Sequence, residues 1–151
     1  MLNQALADFE LPATGGKTFK LSESTSKHLL IYFYPKDNTP GCTTESMQFG
    51  EHYSVFQQLG CDIVGISRDS LKSHEGFKAK LSLPFDLLSD REEIACQLFD
   101  VMKMKNMYGK QVRGIERSTF IIDRNGVLLK EWRGVKVPKH VEAVLDFIKT
   151  L

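Results

Sequence analysis

Leu29-Leu30-Ile31-Tyr32-Phe33-Tyr34-Pro35 runs, through Lys36-Asp37-Asn38, into Thr39-Pro40-Gly41-Cys42. The first run is apolar, aromatic and branched without a polar interruption, the pattern of a strand buried on both faces. Pro35 to Asn38 are turn residues. A long helical pattern then begins near Pro40, whose ring suits the first helical position because no N–H is required there. Thr39 has the residue type of an N-cap. Cys42 accordingly falls in the first turn of a helix, beside unpaired backbone N–H groups and the positive end of the helix dipole. Both features favour the thiolate, which is the nucleophilic form of cysteine.

Outward from this unit, strands and helices alternate. Phe49, Tyr53, Phe56 and Leu59 share one helical face, and Gly60 supplies a stop. Ile63-Val64-Gly65-Ile66 reads as a second buried strand, and Asp69 to Leu81 as a helix closed by Pro84. Phe85 to Leu88 is a short strand and Arg91 to Phe99 a further helix. Arg124-Asn125-Gly126 separates Ser118–Asp123 from Val127–Trp132, which predicts a β-hairpin. Val141, Val144, Leu145 and Ile148 recur at helical spacing, with Pro138 near the start of that segment. Near the N-terminus, Gly15-Gly16-Lys17 predicts a tight turn before a short strand, Thr18 to Leu21. The order β-α-β-α-β-α, then hairpin and helix, implies an α/β chain with a central mixed β-sheet flanked by helices. It resembles a thioredoxin-like fold with an N-terminal extension, in a single domain over residues 1–151.

Composition narrows the function. Lys and Arg nearly balance Asp and Glu, for a net charge of +1, so no electrostatic pull towards nucleic acid or an anionic membrane is expected. The first residues lack a basic segment followed by an apolar one, and no apolar stretch approaches membrane-spanning length. The three cysteines, at 42, 61 and 96, do not read as a disulfide framework, and a reducing, cytoplasmic setting is expected. No Cys-x-x-Cys marks a thioredoxin-type reductase, and no Gly-rich loop implies a nucleotide. His28, His52, His74 and His140 lack metal-ligand spacing and read as surface or internally satisfied histidines. Met102 to Lys110, basic and studded with methionine, reads as a mobile exposed loop.

Pro35-x-x-x-Thr39-x-x-Cys42 resembles the active-site signature of peroxiredoxins. The longer string Tyr34-Pro35-Lys36-Asp37-Asn38-Thr39-Pro40-Gly41-Cys42-Thr43-Thr44-Glu45 is similar to the bacterioferritin comigratory protein, or Q-type, subfamily. The likeness continues through Val64-Gly65-Ile66-Ser67, Leu88-Ser89-Asp90, Arg117 to Asp123 and Trp132 to Val137. It implies a thiol peroxidase for hydrogen peroxide and small organic hydroperoxides, with no metal, haem or flavin. Cys42 would attack a peroxide oxygen and become a sulfenic acid. By the same resemblance, Thr39 orients the peroxide in preference to acting as a full cap, and Pro35 shields the sulfur. Arg117 approaches Cys42, and Glu45 orients Arg117. Backbone N–H groups of Gly41 and Cys42 would receive the peroxide oxygens.

The chain departs from the subfamily at the resolving cysteine. One usual position, five residues after Cys42, is Met47, and the other, on the next helix, corresponds to Lys78. Cys96, beside Ile94 and Phe99, reads as a semi-buried structural thiol, and Cys61 as a small core residue. A one-cysteine mechanism is therefore expected, with thioredoxin, glutaredoxin or a low-molecular-weight thiol as reductant. The alternatives are an atypical two-cysteine cycle through Cys96 and a non-catalytic redox sensor. No long apolar strip stands out, so a monomer, or at most a weakly associating dimer, is expected.

Overall fold

All six residues of strand β3 (His28–Phe33) are buried, as its uninterrupted apolar run predicts. The computed structural model describes residues 1–151 and places this strand inside a seven-stranded mixed sheet. Before it lie β1 (Glu10–Ala13), β2 (Lys17–Lys20) and a 3-10 turn at Leu21–Glu23. After it come α1 (Pro40–Gln58), β4 (Cys61–Ser67), α2 (Leu71–Leu81), β5 (Asp86–Ser89) and α3 (Ile94–Leu98). The chain continues through β6 (Met102–Met107), β7 (Lys110–Ile115), β8 (Ser118–Asp123), β9 (Leu128–Arg133) and α4 (His140–Ile148). The sheet order is β2-β1-β5-β4-β3-β8-β9. β3, β4 and β5 are parallel, whereas β8 and β9 are antiparallel, as is the N-terminal β1–β2 pair that extends the far edge.

Alternation along β3 divides the core into two layers. Leu30 and Tyr32, with Tyr34 just beyond the strand, join Phe49 and Phe56 of α1, Phe77 of α2 and the apolar stripe of α4 on one face. Leu29, Ile31 and Phe33 point the other way, to Phe9, Leu11, Phe99 and the Ala95–Cys96 turn of α3. Gly60 has φ +78 and ends α1 in the left-handed region that glycine adopts without strain.

Four segments differ from the sequence expectation. The Met102–Lys110 stretch is not an irregular loop, because it forms the β6–β7 hairpin, turning at Tyr108 and Gly109 with φ +53 and +78. β1 was not anticipated, since Pro12 cannot donate to a ladder and hides the strand signal. The helix expected over Arg91–Phe99 is shortened to five residues, because both Asp90 carboxylate oxygens take backbone N–H groups, from Ile94 and Cys96, each at 2.7 Å. The expected start of α2 also moves, from Asp69 to Leu71, where the Ser70 hydroxyl caps it by accepting from Ser73 N at 3.1 Å.

Candidate active site

β3, β4 and β5 end on the same edge of the sheet, where the loop after β3 leads into α1, the place where parallel sheets leave a crevice. Thr39 stands at the N-cap with extended backbone, φ −86 and ψ 151, but its side chain caps nothing. Its hydroxyl instead donates to Lys36 O at 2.8 Å. The first intrahelical bond runs from Thr43 N to Thr39 O, so the N–H groups of Gly41 and Cys42 have no acceptor within the helix.

The Cys42 side of this turn is closed: the residue is only 1 % exposed. Arg117 arrives from the residue before β8. Side chains alternate along that strand, and Thr119 and Ile121 face the α1–α4 layer, which carries Arg117 to the same side. Its Nη2 donates to Cys42 Sγ at 3.4 Å and its Nη1 to Glu45 Oε1 at 2.7 Å. A guanidinium bond to sulfur is stronger for the anion than for the neutral thiol, so this contact favours the nucleophile. Gly41 makes room for it, since a Cβ there would lie 3.1 Å from Arg117 Nη2.

Glu45 is fully buried one turn into α1, and its second oxygen has no hydrogen-bond partner. Burial pushes its carboxyl up to about 7, against the opposing pull of Arg117. Burial works against the Arg117 cation, but the Glu45 carboxylate and the sulfur hold it above the ordinary arginine range. His140, at the start of α4, meets the Thr119 hydroxyl through Nε2 at 2.8 Å. Burial first, and Arg117 second, lower its pKa to about 4, so it is neutral near pH 7. The β6–β7 hairpin brings Lys105 Nζ to Ile115 O. Burial and the Arg117 charge lower the Lys105 pKa.

The structure thus brings Cys42, Arg117 and Glu45 into direct contact, with Thr39 and the half-buried Pro35 on the loop that leads into their helix. It does not bring Cys96 to them. Cys96 is completely buried, not semi-exposed, and packs in the layer on the opposite face of the sheet. Cys61 shares the Cys42 layer but sits opposite His28, at the far end of β4. Burial raises the pKa of both, to about 12 for Cys61 and higher still for Cys96. Met47 is exposed on α1, and Lys78 is bound to Asp86 at 2.9 Å.

Two features went unread in the sequence. Gly41, a poor helix former inside a helix, was itself a signal that another group comes close there. Asp37 and His74 form a buried pair behind the loop, and an aspartate in a turn carries no sign of that. Asp37, Asp69 and His74 hold donor atoms within 4.8 Å of one another. Both ring nitrogens of His74 are already engaged, by Asp37 Oδ2 and Leu88 O, so the trio has no free imidazole to offer a metal.

A mixed sheet of this topology, with a sheltered cysteine at a helix start and an arginine on its sulfur, defines the class of cysteine-based peroxidases on the thioredoxin fold. The AhpC/TSA family model matches residues 2–130. Peroxiredoxin Bcp of Xanthomonas campestris is 49% identical over 99% of this chain and 94% of the relative. Peroxiredoxin Bcp of Bacillus subtilis is 47% identical over 99% of this chain and 96% of its own length. Among solved structures, a cysteine-to-serine mutant of Xylella fastidiosa PrxQ superposes with a TM-score of 0.94 at 43% identity, covering 99% of this chain and 96% of that one. The bacterioferritin comigratory protein of Xanthomonas campestris, described with alkyl peroxide reduction activity, gives 0.89 at 48% identity, covering 94% and 90%. The chain belongs to the AhpC/TSA family and, within it, to the Bcp/Q subfamily of peroxiredoxins. It is a thiol-dependent peroxidase.

Proposed function

We propose that this peroxidase reduces hydrogen peroxide and small alkyl hydroperoxides through Cys42 alone, and that an external thiol resolves the product. The observation that carries this reading is the separation of the three cysteines. The sheet stands between Cys42 and Cys96. Cys61 lies six strand positions from the end of β4 nearest the site, about 20 Å at the usual strand rise. A disulfide needs Cα atoms within roughly 7 Å.

In the first step the Cys42 thiolate attacks the terminal peroxide oxygen. An S–O bond forms, the O–O bond breaks, and the alkoxide or hydroxide released takes a proton to leave as alcohol or water. The Thr39 hydroxyl gives its hydrogen to Lys36 O and so keeps a lone pair to accept the peroxide O–H. Arg117 and the free N–H groups of Gly41 and Cys42 stabilise charge on the departing oxygen. Glu45 holds the guanidinium in line, and Pro35 covers the sulfur. The sulfenic acid then condenses with an external thiol, releasing water, and a second thiol reduces the mixed disulfide. Likeness to the Xanthomonas protein supports alkyl hydroperoxides as substrates. Thioredoxin, glutaredoxin and small thiols all meet the chemical requirement.

The test is turnover with each reductant in a Cys61→Ser/Cys96→Ser double variant. Retention of the wild-type rate is expected, whereas Cys42→Ser should be inactive. Loss of turnover in the double variant, with Cys42 oxidation still fast, would overturn the one-cysteine cycle.

A further inference from the structure

The loop from Lys36 to Pro40 carries Thr39 and leads into the turn that holds Cys42. Within it only Asp37 is buried; Lys36, Asn38 and Pro40 are exposed and Thr39 is half-buried. Asn38 sits at φ +64, a left-handed conformation that a free chain seldom holds. The loop is therefore fixed in place largely through one side chain.

That side chain is unusually well partnered. Asp37 Oδ1 accepts from the Tyr34 hydroxyl at 2.6 Å, and Oδ2 accepts from Ser73 Oγ at 2.8 Å and faces His74 Nδ1 at 2.8 Å. His74 has no exposed surface, and its Nε2 lies 2.8 Å from Leu88 O. A carbonyl only accepts, so Nε2 carries a hydrogen. The Asp37 carboxyl and the His74 ring thus meet out of contact with water. The backbone of Asp37 adds a bond to Asp69 Oδ2 at 2.9 Å, an oxygen that also accepts from Ser67 Oγ at 2.5 Å. One residue thus ties the loop to the ends of β3 and β4, to α2 and, through His74, to β5. Burial opposes the charge on Asp37, but the bonds from His74, Tyr34 and Ser73 hold its carboxyl below the usual range.

Cys42 needs this loop in two arrangements. A peroxide is small enough to reach a sulfur that is 1 % exposed, but the thiol of a protein or tripeptide is not. The first turn of α1 and the loop before it must open between oxidation and reduction.

We propose that the buried Asp37–His74 pair is the latch of the catalytic loop: closed, it holds Thr39 and the first turn of α1 in the peroxide-reactive arrangement, and released, it lets Cys42 turn outward to a thiol. Neither residue touches sulfur or substrate; both are positioning residues acting through the loop. The proposal rests on the peroxidase reading of Cys42 but not on how the sulfenic acid is resolved.

The experiment compares Asp37→Asn and the milder Ser73→Ala in a Cys61→Ser/Cys96→Ser background, where only Cys42 can react. Two rates are read by quenched mass spectrometry on reduced protein: oxidation by hydrogen peroxide, and alkylation by a bulky maleimide. Loss of the latch slows oxidation at least about tenfold, because the reacting groups are misplaced, and speeds alkylation at least about threefold, because the sulfur is uncovered. Ser73→Ala moves both rates the same way by less. Opposite movement of the two rates is the signature, since a thiol made less nucleophilic slows in both reactions and a merely less stable fold changes neither well below its Tm. Both rates unchanged, or both falling, would overturn the latch. If Asp37→Asn does not fold by circular dichroism, Ser73→Ala decides. A parent protein that itself fails to oxidise would overturn the peroxidase reading instead.

Discussion

Arg117 reaches the sulfur by passing close over residue 41, which has no side chain. A Cβ at Gly41 would stand 3.1 Å from Nη2, so the guanidinium would have to shift by a few tenths of an ångström or more. Gly41→Ala is accordingly expected to slow Cys42 oxidation about tenfold, as misplacement at a reacting centre does. Its Tm should hold or rise slightly, because alanine in a helix is favoured over glycine by about 0.5–1 kcal/mol. Stopped-flow rates and thermal melts check the two halves, and an unchanged rate would show that Arg117 adjusts without cost. Glu45 offers a test of sign. Its carboxyl titrates at about 7 in the fold against 4.5 ordinarily, so the fold favours the protonated acid. The stability it brings is complete below the ordinary value and is lost as pH rises through the folded one. Glu45→Gln keeps the neutral form at every pH. Its Tm relative to wild type should therefore climb between about pH 4.5 and about pH 7 and level off above. A difference that shrinks over that window would mean that the bond to Arg117 outweighs burial.

At the scale of elements, β3, β4 and α1 meet at Tyr32. Its ring fills the space over Gly65, where an added Cβ would come within 2.7 Å of Tyr32 Cζ and 2.9 Å of Leu87 Cδ2. Its hydroxyl pairs with Ser46 Oγ on α1 at 2.9 Å, beneath the turn that carries Cys42. Gly65→Ala should cost about 1–3 kcal/mol by overpacking, seen as a lower urea midpoint with an unchanged m-value. No loss of midpoint would show that the tyrosine has room to move. The buried strands were legible in the sequence because they are covered on both faces and so carry uninterrupted apolar runs, Leu29 to Tyr34 above all. The β6–β7 hairpin was not, for the opposite reason. It packs on the core only at its base, through Met102 and Ile115, and its remaining positions are free to be Lys, Asn, Gln and Arg. Its turn uses Tyr108 at positive φ, where Asn or Asp would have given the signal. Within the site, Cys42 and Thr39 were readable from a motif whose spacing follows the helix start, whereas the approach of Arg117, 75 residues away, and the part of Glu45 were expected only from the family resemblance. Asp37 and His74 were not, because their pairing joins residues 37 positions apart through the tertiary fold.

Across the whole molecule the sheet works as a partition. One face holds Cys42 with α1, α2 and α4, and the other holds Cys96 with α3 and the N-terminal segment. No helix is long and apolar enough to cross a membrane. The sheet therefore stands between Cys42 and Cys96, and the length of β4 between Cys42 and Cys61; in the one-cysteine cycle proposed above, the next reaction of the sulfenic acid comes from outside the chain or from a second peroxide. That cycle predicts over-oxidation to the sulfinic acid at high peroxide. The most direct measurement is the intact mass of reduced protein after one equivalent of hydrogen peroxide, with and without a sulfenic-acid trap, alongside Cys42→Ser. A gain of one oxygen, or of the trap, seen only when Cys42 is present, is the predicted result. Loss of two hydrogens would reveal an internal disulfide and contradict the one-cysteine cycle.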